Sequence, residues 1–291
     1  MSRFQLTGTG VWSPALRYGE DGPVCDAVAE LESLGYTAAW IPDVGGDVLE
    51  AVGKLLSFSS TLTIATGILN LWMNEPADVA ARYTSMVAEH GRRFLVGIGV
   101  SHGPFINSIE AGKYTKPLTR MAEFLDGLDA AEHPLPADDR VLAALGPKML
   151  ELARTRTAGS HPYLVTAEHT AAAREALGPD AMVAPEQAVV LETDPDTARA
   201  AARAHLATYL TLPNYVNNWK RLGFTDEDLT DGGSDALVDA LVAWGDEEAI
   251  RARVQGHHDA GADHVCIQVV GIEWNELPVD TWRRLAPALN A

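Results

Sequence analysis

The chain has 291 residues, 47% of them hydrophobic and 21% charged, with 40 acidic and 22 basic side chains and a formal net charge of -18. That balance excludes nucleic acid and anionic membrane surfaces as partners, since both demand a basic face. An anionic cofactor would have to be met locally, by helix ends or a few well-placed cations.

No apolar stretch reaches the roughly 18 to 20 residues that span a bilayer. Met1 to Leu6 lacks the charged and apolar regions of a signal peptide. Cys25 and Cys266 stand far apart, each among apolar neighbours. A reduced cytoplasmic protein without structural disulfides is the expectation.

Taken in chain order, short β-type runs alternate with amphipathic helical segments. The predicted strands are 5–11, 36–41, 62–67, 94–99, 140–146, 162–166, 182–191 and 264–270. Predicted helices between them include 22–34, with Val24, Val28, Leu31 and Leu34 on one stripe, and 76–89, with Val79, Tyr83, Met86 and Val87. Helix 147–155 and a helix from Asp246 towards Gly261, with Ile250 and Val254 inward, complete the set. Eight strands alternating with helices predict a parallel sheet with crossover helices. The count and the length, close to the roughly 250 residues typical of a (β/α)8 TIM barrel, favour that α/β fold as one domain over residues 1–291. An open dinucleotide-binding sheet usually shows G-x-G-x-x-G after its first strand. Here Gly8-Thr9-Gly10-Val11-Trp12-Ser13 lacks the third glycine. Insertions follow strands four (101–139) and seven (192–263), the second carrying "LPNYVNNWKRLGF". Both leave the C-terminal ends of strands, where barrel active sites are built, and are the expected cover of a pocket.

The strand ends carry the chemistry. The fifth run stops at Gly146-Pro147-Lys148 and enters a helix directly. Proline suits the first helical position, and glycine permits a sharp turn and close ligand approach. The first-turn N–H groups with Lys148 would suit a phosphate, though a plain strand-to-helix turn fits equally. The third strand ends Gly67-Ile68-Leu69-Asn70, which can present bare backbone to a flat ring or merely relieve crowding. The second ends at Asp43, a possible ligand acceptor or a cap for the Gly45-Gly46 turn. The fourth offers Gly99, His102 and Asn107. Small polar groups at successive strand ends suit a flat, polar ligand across the mouth.

Competing chemistries are weak. There is no G-x-S-x-G elbow, and neither cysteine has a nearby histidine. The cluster "HHDAGADH" (257–264) holds metal-type residues, but at a helix end and a strand start on the barrel floor. The helix-terminal histidines are expected to complement the dipole, with no metal bound.

These residues resemble the bacterial luciferase-like family of flavin and deazaflavin oxidoreductases, and within it the coenzyme F420-dependent branch. The resemblance rests on "GYTAAWIPDVGGD" (35–47), "LTIATGILNLWMNEPADVAA" (62–81), "RRFLVGIGVSHGPFIN" (92–107), "VLAALGPKMLELARTRTAGSHPYLVTAEHT" (141–170) and "AGADHVCIQVV" (260–270), nearly the whole chain. It implies a tricyclic ring at the C-terminal mouth and a phosphate at the start of the helix after strand five. By that resemblance Gly146, Pro147, Lys148 and Thr166 hold the phosphate. Gly67-Ile68 matches a dipeptide often joined by a non-prolyl cis peptide against the deazaflavin. Asp43 matches an acid near the ring, and Asn107 an asparagine contacting ring or ribityl chain. Some deazaflavin-dependent sugar-phosphate dehydrogenases place a histidine after that acid and a glutamate after strand four. This chain has Val44 and Ser101-His102 there, so that substrate does not carry over.

The function expected is hydride transfer between the deazaflavin and a small organic substrate, with His102 and Asp43 as the catalytic candidates and Gly67, Ile68, Asn70, Gly99 and Asn107 around the ring. Two alternatives stand beside it: an FMN-dependent monooxygenase fed by a separate reductase, and a non-catalytic cofactor-binding protein. Trp12, Trp72, Tyr215 and Trp219 suggest an aromatic-lined pocket or simply core. A homodimer is implied by the resemblance.

Overall fold

The computed structural model describes residues 4–290. Met1 to Arg3, in the N-terminal stretch considered above, lie outside them. The strands are β1 (Gly8–Trp12), β2 (Ala38–Ile41), β3 (Thr63–Thr66), β4 (Leu69–Asn70), β5 (Phe94–Gly99), β6 (Arg140–Leu142), β7 (Gly159–Ser160), β8 (Met182–Val183), β9 (Glu186–Val190), β10 (Val242–Trp244) and β11 (His264–Val269). Every pairing among them is parallel, and neighbours follow chain order from β1 to β8. β3 and β4 are two pieces of one barrel strand, both paired with β5.

Residues 182–190 close the ring. On one side Ala184 N donates to Ser160 O and Glu186 N to Pro162 O; on the other, Asp263 N donates to Val183 O and β9 pairs with β11 from Cys266↔Glu186. β11 then pairs with β1 from Gly8↔His264. The product is the (β/α)8 TIM barrel, with β10 added outside the ring against β9.

The helices are α1 (Ala15–Tyr18), α2 (Asp21–Ser33), α3 (Val48–Phe58), α4 (Pro76–His90), α5 (Gly103–Ile109), α6 (Pro117–Asp129), α7 (Pro147–Arg156), α8 (Ala167–Leu177), α9 (Pro195–Tyr209), α10 (Pro213–Arg221), α11 (Asp235–Leu241), α12 (Glu247–Asp259) and α13 (Val279–Leu289). Polar side chains start several of them: Asp47, Thr166, Asp194, Ser234 and Asp246 each accept from a main-chain N–H in the first turn. Val24, Val28 and Leu31 of α2, with Val52, Leu55 and Leu56 of α3, bury their stripe against the outside of the sheet. The barrel interior is filled by Trp40, Ala65, Leu95, Val141, Met182 and Cys266. The insertion after strand seven has its own apolar cluster, including Leu206, Leu212, Tyr215, Trp219, Leu237 and Leu241.

One predicted strand is corrected. Residues 162–166 form no strand; the sixth barrel strand is Gly159–Ser160, and Leu164 has φ 51°. A Cβ on Gly159 would stand 1.9 Å from Met182 O, so only glycine admits the approach of the seventh strand there. The β-type residues that follow serve the mouth instead: Leu164 N donates to Glu186 Oε2 and Leu164 O accepts from Trp219 Nε1. No helix among the described residues is long and apolar enough to cross a membrane. The histidine-rich segment is used internally. His257 Nδ1 bonds Thr170 Oγ1 and its Nε2 bonds Gln187 Oε1, His264 Nε2 accepts from Trp40 Nε1, and Asp263 pairs with Arg174.

Candidate active site

The C-terminal mouth is organised by a carboxylate. Asp43, just past β2, is buried, and its Oδ2 accepts from Asn70 N at 3.0 Å and from Asn74 Nδ2 at 2.8 Å. Its Oδ1 pairs with Arg17 at 3.2 Å, whose guanidinium also donates to Pro42 O, Gly45 O and Gly46 O. Asp43 thus ties the end of the second strand to the end of the third.

The Gly67-Ile68 peptide bond between β3 and β4 is cis. Gly67 O accepts from Trp12 Nε1 at 2.9 Å. A Cβ at Gly67 would lie 2.4 Å from that nitrogen and 3.1 Å from His161 Nε2, and one at Gly99 would lie 2.5 Å from Ile68 Cγ1. Both positions need glycine because neighbouring side chains already occupy the space: Trp12 and His161 pack against Gly67, and Ile68 packs against Gly99.

At and just after the ends of the third, fourth and sixth barrel strands, several buried polar atoms have no partner among the described residues: Asn70 Nδ2, His102 Nδ1, Ser160 Oγ and His161 Nε2. Their neighbours fix their character. Asn70 Oδ1 accepts from Trp72 N, so its amide nitrogen remains to donate. His161 donates from Nδ1 to Ala184 O at 2.7 Å and stacks on Trp40, leaving Nε2 as an acceptor. Burial pushes His161 down to about 4, so the ring is neutral at pH 7. Burial also lowers His102, an effect the Asn214 side chain opposes, and its ring lies 5.6 Å from that of Tyr215.

The phosphate candidates gather at the tips of α7 and α8. Gly146 caps α7 with Pro147 at its first position, and Thr166 caps α8. Leu145 O, at the end of the fifth barrel strand, accepts from His169 Nε2 at 3.2 Å and from Arg221 Nη2 at 3.4 Å. That joins both tips to α10 of the second insertion. Arg221 also donates to Asn218 Oδ1, and Asn218 Nδ2 is buried without a partner. Lys148 is exposed on α7.

The structure therefore brings Asp43, Gly67, Ile68, Asn70 and Gly99 together at one bulge, and Gly146, Pro147 and Thr166 at the neighbouring helix tips. Asn107 sits apart, exposed on α5, with its Oδ1 accepting from Tyr114 N. Sequence reasoning did not single out His161, Arg221, Asn218 or Glu186, polar groups that the fold brings to these strand ends and helix tips. "NNWKR" within the predicted cover was the available signal for two of them. Of the aromatics, Trp12 lines an open cleft, whereas Trp219 is fully buried and staples α10 to Leu164 O.

A closed parallel barrel with buried, unpaired donors and acceptors at its C-terminal mouth defines an α/β-barrel protein built to hold a polar ligand there. The profile of the luciferase-like monooxygenase family matches residues 16–264, and the chain belongs to that family. Its members are oxidoreductases. The fold is similar to that of the coenzyme F420-dependent tetrahydromethanopterin reductase from Methanopyrus kandleri, at 15% identity and TM-score 0.75, over 97% of this chain and 99% of that one. It is also similar to an F420-dependent secondary alcohol dehydrogenase, at 14% identity and TM-score 0.68, over 99% and 100%. A third similar structure is the oxygenating constituent of 3,6-diketocamphane monooxygenase from Pseudomonas putida, bound to FMN, at 13% identity and TM-score 0.66, over 98% and 97%. No curated protein matches the sequence.

Proposed function

We propose that the protein is a coenzyme F420-dependent oxidoreductase acting on a small organic substrate. One observation carries this reading: the buried Asn70 Nδ2 and His161 Nε2, beside the Gly67-Ile68 bulge, have no partner among the described residues. A buried polar atom without a partner costs roughly 1–3 kcal/mol, and a ligand with complementary groups offsets it. Donor Asn70 and acceptor His161 fit the edge of a heteroaromatic ring.

When bound, the deazaflavin supplies or accepts a hydride. The chain's own residues do the rest. Gly67 and Ile68 would support the ring, and Asp43 keeps that bulge in place through Asn70 and Asn74. The first turns of α7 and α8, with Gly146, Pro147, Lys148 and Thr166, would hold the anionic tail, with Arg221 supplying further positive charge. His102, neutral through burial, would take or give the accompanying proton at Nδ1. α10, held at the mouth by Trp219 and Arg221, would help shield the bound ring from water.

The test is a pair of fluorescence titrations of the purified protein, one with coenzyme F420 and one with FMN, followed by hydride exchange against alcohols, aldehydes and enones. Saturable F420 binding with turnover of at least one substrate is the expected result. FMN binding without any F420 binding points instead to the monooxygenase reading. F420 binding without exchange across the whole panel points to a carrier.

A further inference from the structure

A cleft of about 710 Å³ opens between the ends of the first and eighth barrel strands, beside α9. Trp12 lines it, and the same indole donates to Gly67 O, so the cleft adjoins the bulge across one side chain. Its floor includes His205 and Gln268, and its rim carries Glu273, Trp274 and Glu276, all exposed. Among the described residues no lysine or arginine lines it.

The polar floor has a fixed polarity. The Tyr163 hydroxyl donates to Gln268 Oε1 at 2.7 Å. With its one hydrogen committed, its oxygen is left to accept from Tyr209 OH at 3.1 Å and from His205 Nε2 at 3.5 Å. That assignment leaves the Gln268 amide N–H as a donor and His205 Nδ1 as an acceptor. Burial lowers His205 to about 4, so its ring is uncharged at pH 7.

We propose that this cleft is a binding site for an uncharged molecule bearing a carbonyl or hydroxyl group, Gln268 donating to the oxygen and His205 accepting from the hydroxyl form. A donor beside an acceptor serves both members of a ketone and alcohol pair. A phosphorylated or carboxylated ligand would meet Glu273 and Glu276 at the rim with no cation to receive it. The assignment does not rest on the redox reading, since the Trp12 indole stands between this cleft and the bulge.

The test uses the full chain, with and without coenzyme F420, and four probes: cyclohexanone, cyclohexanol, cyclohexyl phosphate and cyclohexanecarboxylate. Binding is followed by saturation-transfer NMR and tryptophan fluorescence. Cyclohexanone and cyclohexanol are expected to bind at least tenfold more tightly than either anion. The exposed double variant Glu273→Lys, Glu276→Lys is expected to strengthen anion binding severalfold without weakening the ketone. Gln268→Leu is expected to weaken both uncharged probes at least fivefold, and His205→Phe to weaken the alcohol more than the ketone, which keeps the test open should the leucine variant misfold. Equal or tighter binding of the anions, or no binding of the uncharged pair at millimolar concentrations, overturns the assignment. F420 binding with no uncharged probe bound removes this inference alone. Probe binding with no F420 binding removes the redox reading and leaves the cleft.

Discussion

The main-chain N–H of Asn70 donates to the Asp43 carboxylate at 3.0 Å, so the end of the third barrel strand hangs from the end of the second. The same carboxylate pairs with Arg17, and the two side chains are only 1% and 3% exposed. A residue that sequence reasoning offers as an acid for the ring is thereby committed to protein donors on both oxygens. Its role in the proposed reaction is to position the bulge.

Asp43→Ala would leave Arg17 buried and Asn70 N–H unpaired. Removing one partner of a buried pair costs roughly 3–5 kcal/mol. Denaturant unfolding should show a loss of that order, with Asp43→Asn between it and wild type. Wild-type stability in the alanine variant would refute the latch.

Gly99→Ala places a Cβ 2.5 Å from Ile68 Cγ1 and 2.6 Å from Cδ1. The Ile68 side chain must move, and the bulge beneath the proposed ring with it. Affinity for the cofactor should fall at least tenfold while inorganic phosphate binding, at the separate helix tips, is unchanged. Unaltered cofactor affinity would show that Ile68 does not contact the ring.

Arg221 reaches Leu145 O at the mouth of the fifth strand, whereas Lys148 points to solvent from the next helix. Arg221→Ala should weaken cofactor binding about tenfold, roughly 1.4 kcal/mol, and Lys148→Ala by much less. Rising salt should erode the wild-type affinity more steeply than that of the Arg221 variant. The reverse ranking in isothermal titration would assign the anionic tail to Lys148.

Glu186 is fully buried, and burial pushes its carboxyl up to about 8 from an ordinary 4.5. Between those values the folded chain holds a proton that the unfolded chain has released, so stability falls as pH rises from 4.5 through 8. At about 1.4 kcal/mol per pH unit the ceiling on that loss is ~5 kcal/mol. His161, His205 and His257, each lowered by burial to about 4, act oppositely and reduce stability as pH falls below 6.5. Glu186→Gln should flatten the alkaline limb of urea-unfolding stability against pH and leave the acidic limb intact. An unchanged alkaline limb would assign that loss to other groups.

Much of the site was legible because its residues are tied to local signals. Gly146-Pro147 marks a helix start wherever it follows a strand, and Thr166 caps α8 through its own first turn. The sixth strand was not legible, because Gly159-Ser160 has no β-type character and owes its place to the close approach of Met182. Nor were His161, Glu186 and Gln268, which look like ordinary strand and loop residues until the ring closes and turns them inward.

The alternation of β-type runs with amphipathic helical segments, set by which faces must leave water, indicated from sequence alone eight parallel strands wrapped by helices, and the likeness of the strand-end segments to the luciferase-like family indicated the family. Which polar atoms finish without a partner was decided only in three dimensions. Whether a buried donor is satisfied depends on groups distant in the chain, as the Trp40 indole N–H depends on His264 Nε2, and no window of sequence contains both ends of such a contact.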